Sequence, residues 1–366
     1  MQYFITIIKK LTFLFLSFAL LLSSLDVAAK KQQVSLSRIN SNITVDGVMD
    51  EAHWQNATRI SLLYQDEPNE KGTPPVKTDA FIYEDGTNLY VAYVAQDPDP
   101  TQIRASLRDR DTLWEDDVVI LVIDTFNDER SGYEFHVNPL GAQGDIRMTD
   151  TDGWSSDTSW NAIWDSVGQI TESGYTVELS IPLKQLRFPA NNSAQIWGID
   201  LYRHYPRNRS TMIHSQRIDW DISCYLCQIS TLEGFNSLEQ SRNLEVIPTL
   251  TAASFKKRDP AIGEWEHDND PQGSLDLRWG ISQDTYLNAT INPDFSQVEA
   301  DSLQLDVNNT FSLFFPERRT FFLDGADYFD TYENLVHTRN IASPEYGLKL
   351  TGKSDKNTYG LVAAND

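Results

Sequence analysis

Side chains able to do chemistry are plentiful in this chain, but few are spaced for it. Its 53 acidic residues supply candidate carboxylate pairs everywhere. Glycoside cleavage needs two carboxylates about 5 to 9.5 Å apart, one with a raised pKa, and abundance alone singles out no such pair. His53, His136 and His204 are too scattered along the chain to suggest a metal set. There is no His-Glu-x-x-His helix motif and no Gly-x-Ser-x-Gly nucleophile turn. Gly141-Ala142-Gln143-Gly144 lacks the strand–helix context and the spacing of a nucleotide loop. No catalytic residue is legible. The acidic runs Arg108-Asp109-Arg110-Asp111 and Asp150-Thr151-Asp152 read either as solvated loops or as oxygen ligands for Ca²⁺. Glu317-Arg318-Arg319 reads as an ion-pairing group inside a barrel or as plain surface. Cys224 and Cys227 are the only cysteines. That spacing suits a redox or metal site in a reducing compartment. In an oxidising one it suits a local disulfide pinning a turn, since two thiols do not complete a tetrahedral zinc site.

The N-terminus decides the compartment. Lys9 and Lys10 precede the apolar run Leu11–Leu22, which at about 12 residues is too short to span a bilayer. Val27-Ala28-Ala29 offers small residues for cleavage. The pattern predicts a secretory signal over 1–29 and an exported protein of the periplasm or outer membrane, where the disulfide reading holds. The net charge of −23 argues against nucleic acid, whose phosphates demand Lys and Arg. At roughly 150 residues per domain, the remaining length suggests two domains.

The elements are strands. Phe81–Tyr83 and Leu89–Tyr93 flank a Glu84-Asp85-Gly86 turn. Val118–Ile123 reads as a strand buried on both faces. Tyr133–Val137, Tyr175–Ile181 and Trp197–Tyr202 continue a series of short strands, which indicates an all-β sandwich. Asp145–Ser159 and Lys256–Gly273 are polar and are expected as loops. Trp54, Trp160, Trp164 and Trp197 sit beside predicted strands and are expected in the core. Beyond about residue 240 the alternation is longer: Leu244, Val246, Pro248 and Leu250; Leu275, Leu277, Trp279 and Ile281; Leu287, Ala289 and Ile291; Tyr346, Leu348 and Leu350; then, after a turn at 353–357, Tyr359, Leu361 and Ala363. A transmembrane barrel wall reads this way, and so does a soluble sheet with one wet face. Four or so such strands cannot close a barrel, so the barrel reading makes the chain an N-terminal piece of a longer protein.

Several stretches, taken together over residues 37–236, resemble the family 9 carbohydrate-binding modules. They are Ile43-Thr44-Val45-Asp46-Gly47 with Asp50-Glu51 and Trp54; Leu89-Tyr90-Val91 with Asp97; Trp114-Glu115-Asp116-Asp117; and Gly174–Pro182. The resemblance implies a jelly-roll-like sandwich and a link to polysaccharide catabolism. It also implies a terminal sugar held between two indoles, matched here by Trp114 and Trp220, and structural calcium. One position departs: the Glu expected six residues after the first Trp is Ile120. Arg203, Asn138 and Glu178 are then candidate polar contacts to the sugar. Ile291–Asp301, Phe315–Leu323 and Gly347–Lys353 resemble a domain of unknown function that follows such modules in outer-membrane proteins, which tips the alternation toward a barrel.

The expectation is therefore a signal over 1–29, a sandwich over 30–236, and the start of an outer-membrane β-barrel, incomplete, over 237–366. Its partners would be a polysaccharide or oligosaccharide and the outer membrane. Two alternatives stand beside it: a non-sugar-binding interaction domain of an outer-membrane transport or assembly protein, and a glycoside hydrolase acting on O-glycosyl bonds.

Overall fold

The computed structural model describes residues 31–40, 43–69, 72–150, 155–158, 160–189, 194–207, 209–236, 238, 244–258, 265–282, 284–293, 320–329, 336, 338, 341, 344–353 and 357–365. Residues 1–29, expected as a signal, Asp152, most of Ile291–Asp301 and the Glu317-Arg318-Arg319 group lie outside the described residues.

Strands dominate. In chain order they are β1 (Gln33–Ser35), β2 (Ser37–Arg38), β3 (Thr58–Leu62), β4 (Tyr64–Glu67), β5 (Thr78–Glu84), β6 (Asn88–Gln96), β7 (Val118–Asp124), β8 (Ser131–Val137), β9 (Gln143–Thr149) and β10 (Ser155–Asp157). There follow β11 (Asp165–Thr171), β12 (Gly174–Pro182), β13 (Gln195–Pro206), β14 (Ser210–His214) and β15 (Ser230–Phe235). The first sheet runs β1-β15-β13-β7-β8-β9-β10, with β14 and β4 also attached through β13; the second runs β11-β12-β6-β5-β2, with β3 on β5. The fold is a β-sandwich.

Side-chain alternation sets its layers. Val119, Leu121 and Ile123 of β7 point into the shared core with Tyr93, Phe135, Val177, Leu179, Trp197 and Leu201. Val118, Ile120 and Val122, one step out of phase, point to the outer face and are buried under Leu113, Ile218, Tyr225 and Leu226. This is why Val118–Ile123 shows no polar face. Trp54, Trp160, Trp164 and Trp197 are all buried. Asp145–Ser159 departs from the expected loop. It opens as β9, because Ile146 and Met148 are buried on one face while Asp145 and Arg147 on the other pair with Arg110 and Asp157.

The strands after the sandwich are β16 (Leu244–Arg258), β17 (Trp265–Ser282), β18 (Thr285–Ile291), β19 (Tyr346–Lys353) and β20 (Thr358–Asn365). A single helical turn, α1 (Thr320–Leu323), precedes β19. The five strands pair antiparallel in sequence order and, among the described residues, do not close into a barrel. Within Lys256–Gly273, expected as a turn or loop, 256–258 and 265–273 are strand, and 259–264 lie outside the described residues. β16 and β17 stay in register up to the pair Arg258 and Trp265, so backbone pairing overrides composition there.

Gly174 opens β12 at φ +143, and a Cβ there would run into the Ala95 carbonyl of the paired strand. Gly174→Ala is expected to destabilise the sandwich by at least about 1–3 kcal/mol, read as a lower urea midpoint. An unchanged midpoint would show that the β12–β6 junction yields without strain.

Candidate functional site

The two indoles singled out by sequence are exposed, Trp114 by 59% and Trp220 by 51%. Both sit over the outer face of the first sheet. One row crosses that face: His214 on β14, Tyr202 on β13, Ile120 on β7 and His136 on β8. The Trp114 ring meets His136 edge-on at 5.3 Å, at one end of the row. Trp220 Nε1 donates to Asp66 Oδ2 at 3.2 Å, and Asp66 in turn holds His214 at the other end. Three interstrand steps put His136 and His214 roughly 14 Å apart. Between them Ile120 and Tyr202 are buried in one cluster with Leu113, Ile218, Tyr225 and Leu226.

Beside Trp114 lies an open cleft of about 690 Å³, walled by Trp114, Glu115, Arg104, Arg108, His204 and Ser210. Polar atoms are concentrated there. Arg108 reaches Glu115 at 2.9 Å and Asp116 at 3.3 Å. His204 Nδ1 lies 3.2 Å from the Asp116 carbonyl and Nε2 2.7 Å from Ser210 Oγ. A carbonyl only accepts, so Nδ1 carries the proton and donates to it. Burial, outweighing the Asp116 bond, lowers the His204 pKa and favours the neutral ring, whose Nε2 then accepts from Ser210.

A buried charge chain sets the Trp220 end. His214 lies between Asp200 at 2.6 Å and Asp66 at 3.1 Å, and stacks on Tyr202 at 4.7 Å. Asp200 also accepts from Tyr225 and Ser215. Burial opposes the imidazolium, but Asp200 and Asp66 override it and raise its pKa to about 10. Tyr202 and Tyr225, buried beside these acids, are pushed well above the usual phenol range and stay neutral. Cys224 and Cys227 form a disulfide in the segment that carries Trp220. Asp150 accepts from the Tyr225 and Leu226 amides of that turn, so it is a turn-holding group and not a solvated one.

Three sequence candidates do not face this site. Arg203 points into the core, bonded to Thr78 and the Gln96 carbonyl and paired with Asp117 and Asp97, because it falls in phase with Leu201. Glu178 lies on the second sheet, the opposite layer, where it accepts from the Asp46 and Gly47 amides and from Trp54 Nε1. Asn138 is buried and spends its amide on Ser106, Asp116, Leu140 and Ala142. All three are structural. Asp66, Asp200 and His214 were missed. Their sole local signal is the polar phase Asp200, Tyr202, His204 along β13; the pairing that brings Asp66 to it is non-local.

Carboxyls raised by burial include Glu84, Asp111, Asp124 (to about 6) and Glu178. They hold turns and loops and do not line the cleft. Among the described residues, no three His, Cys, Asp or Glu cluster to hold a metal ion.

Residues 45–221 match the family described as carbohydrate family 9 binding domain-like. The family 9-like stretch thus spans every strand of the sandwich from β3 to β14. Residues 243–358 match a domain of unknown function, DUF5916. Among solved structures, a protein from Bacteroides uniformis provisionally described as carbohydrate-binding is 11% identical, covering 56% of this chain and 100% of its own, with a TM-score of 0.45. A family 9 carbohydrate-binding module from Caldicellulosiruptor kristjanssonii in complex with cellotriose is 16% identical, covering 56% of this chain and 94% of its own, at a TM-score of 0.39. A structure of such a module with glucose gives 16%, 56%, 96% and 0.39. No curated protein matches.

His214 binds its proton more tightly in the folded chain than at the 6.5 of an unfolded histidine. Its contribution is present in full below about pH 6.5 and is lost as pH rises through about 10. Urea stability is expected to fall across that window, and the fall should be smaller in His214→Gln. Parallel curves for the two proteins would show that His214 does not titrate there.

Proposed function

We propose that this protein binds a saccharide on the outer face of the first sheet, with Trp114 as the stacking platform. The observation that carries this is a large, exposed indole at the wall of an open cleft whose polar groups are hydroxyl, carboxylate, imidazole and guanidinium. A pyranose lays its apolar face on such a ring, and a few polar side chains take its hydroxyls. Glu115 accepts; Arg104 and Arg108 donate; Ser210 does either. Trp220, anchored at the far end of the row, is a second platform for a longer chain. The family 9 match over 45–221 supports the same reading. Ile120, standing where the family's Glu is expected, is buried beneath the row, so hydroxyl contacts move to the cleft rim.

The strands β16–β20 support a place in the outer membrane. Their registered rows alternate face by face. Leu244, Trp279, Leu287, Leu350 and Leu361 form one apolar row, and Val246, Leu277, Ala289, Leu348 and Ala363 the next. This face is bare, with Leu361 63% and Leu348 46% exposed. The opposite face carries Asn288, Thr290, Lys349 and Thr351, all buried. A soluble sheet buries its apolar face; this one exposes it, as a lipid-facing barrel wall does. No helix among the described residues is long and apolar enough to cross a membrane, which says nothing of strands.

Two measurements test these readings. In calorimetry with oligosaccharides of increasing length, Trp114→Ala should weaken binding at least tenfold, about 1.4 kcal/mol. Trp220→Ala should weaken only the longer ligands. Binding unchanged in Trp114→Ala would remove the platform. Separately, Leu348→Lys should cost about 2–4 kcal/mol in membrane assembly if it faces the bilayer midplane. Outer-membrane fractionation of the variant at the parent level would remove the lipid assignment.

A further inference from the structure

The polar face of the β16–β20 sheet and the sandwich meet around a single carboxylate. Asp324, just past α1, lies within 3.6–3.9 Å of Arg278 on β17 and of Arg147 and Arg187 of the sandwich. Asn288 of β18 donates to Oδ2, the oxygen that also faces Arg278, and Lys349 Nζ of β19 donates to the Asp324 backbone carbonyl. Arg187 lies over the Tyr286 ring at 4.1 Å and donates to Thr351. Next to this centre is a cavity of about 160 Å³. That is about ten times the ~15 Å³ that admits one water.

Its lining is not that of a packing defect. Trp160 of the sandwich and Phe321 of α1 supply aromatic surface, and Arg278, Asn288, Asp324 and Asp276 supply polar groups. The buried atoms Arg278 Nε, Asn288 Oδ1 and Asp324 Oδ1 make no hydrogen bond within the described residues. Arg278 Nε and Asp324 Oδ1 are held by ion pairs alone, and Asn288 Oδ1 has no partner among the described residues; burying such an acceptor unsatisfied is costly, so the site favours a polar occupant. We propose that this cavity is a second saccharide site, taking one neutral sugar ring between Trp160 and the charged face of the strand sheet. Donor, acceptor and aromatic surface converge there as hydroxyls on a pyranose require. Glu245 and Asp276 line the cavity beside the charge-balanced Asp324 cluster, which favours a neutral sugar over an acidic one. An ammonium sugar would meet Arg278 directly.

This inference deepens the saccharide reading of the outer face and rests on it for ligand class, but its residues are separate. The test is calorimetry of the full-length chain in detergent with D-glucose, small enough for the interior, and with cellotriose, too long for it. In Trp114→Ala, glucose should still bind at one site while cellotriose binding falls at least tenfold. In Asn288→Leu, which keeps the branched shape and the number of side-chain heavy atoms, the interior glucose site should weaken at least tenfold while the melting temperature shows a folded protein. Arg278→Gln serves as the second variant and should weaken glucose likewise. Glucose binding that vanishes in Trp114→Ala overturns the interior site and leaves the outer one standing. Glucose binding that survives Trp114→Ala but is untouched by both interior variants also overturns it. Binding kept in Trp114→Ala and lost in Asn288→Leu upholds it, even where the outer-face reading fails. No glucose binding by the folded parent overturns it as well.

Discussion

Everything on the outer face of the first sheet depends on one strand having no polar face. β7 is buried on both sides, so its neighbours β13 and β8 are locked in register with it and their side chains sort strictly into two layers. Shifting that register by one residue would exchange the core set with the outer set. Arg203 would then leave the core, and Tyr202 and His204 would enter it. The outer face is thus a row of buried histidine, tyrosine and isoleucine, with exposed indoles at its ends. Charge completes what packing begins. His214 holds two carboxylates together, and one of these fixes the Trp220 ring. A buried ion pair is often weak evidence of stability; here it sets the position of a surface group.

Much of this was legible in the residues. Period-two alternation marked most sandwich strands, and the unbroken run Val118–Ile123 marked the doubly buried one. The exposure of Trp114 and Trp220 and the burial of the other four indoles named beside strands agree with their sequence contexts. What sequence did not reveal was which sheet, and which side of it, each polar residue faces. Glu178 looked available but points away on the other layer. Arg203 and Asn138 looked free but are hydrogen-bonded inside the protein. Such facts depend on pairings between residues up to 132 apart, as with Asp46 and Glu178, and no local pattern encodes them. The polar stretches at 145–159 and 256–273 misled for a related reason: hydrophilic residues fill a strand whenever a partner strand and counter-charges are supplied from elsewhere.

The chain uses two opposite solutions to the same sheet geometry. In the sandwich, the apolar phases of two sheets face each other and exclude water. In β16–β20 the apolar phase faces outward, and the polar phase is covered by α1 and by the sandwich through Arg187, Lys349 and Asp324. Polar residues at the centre and apolar residues outside invert the usual rule for globular proteins. The cost of burying these charges is offset by pairing them around one carboxylate, which also ties the two halves together.

The way Trp220 is held has a consequence for selectivity. Its indole N–H is already committed to Asp66, so the group that could read a hydroxyl is occupied before any ligand arrives. That end can sense only flatness and apolar shape. In the proposed saccharide site, discrimination between sugars that differ in the orientation of one hydroxyl would then arise at the other end, among Glu115, Arg104 and Arg108. Recognition there would be polarised along the row, tolerant at one terminus and exacting at the other.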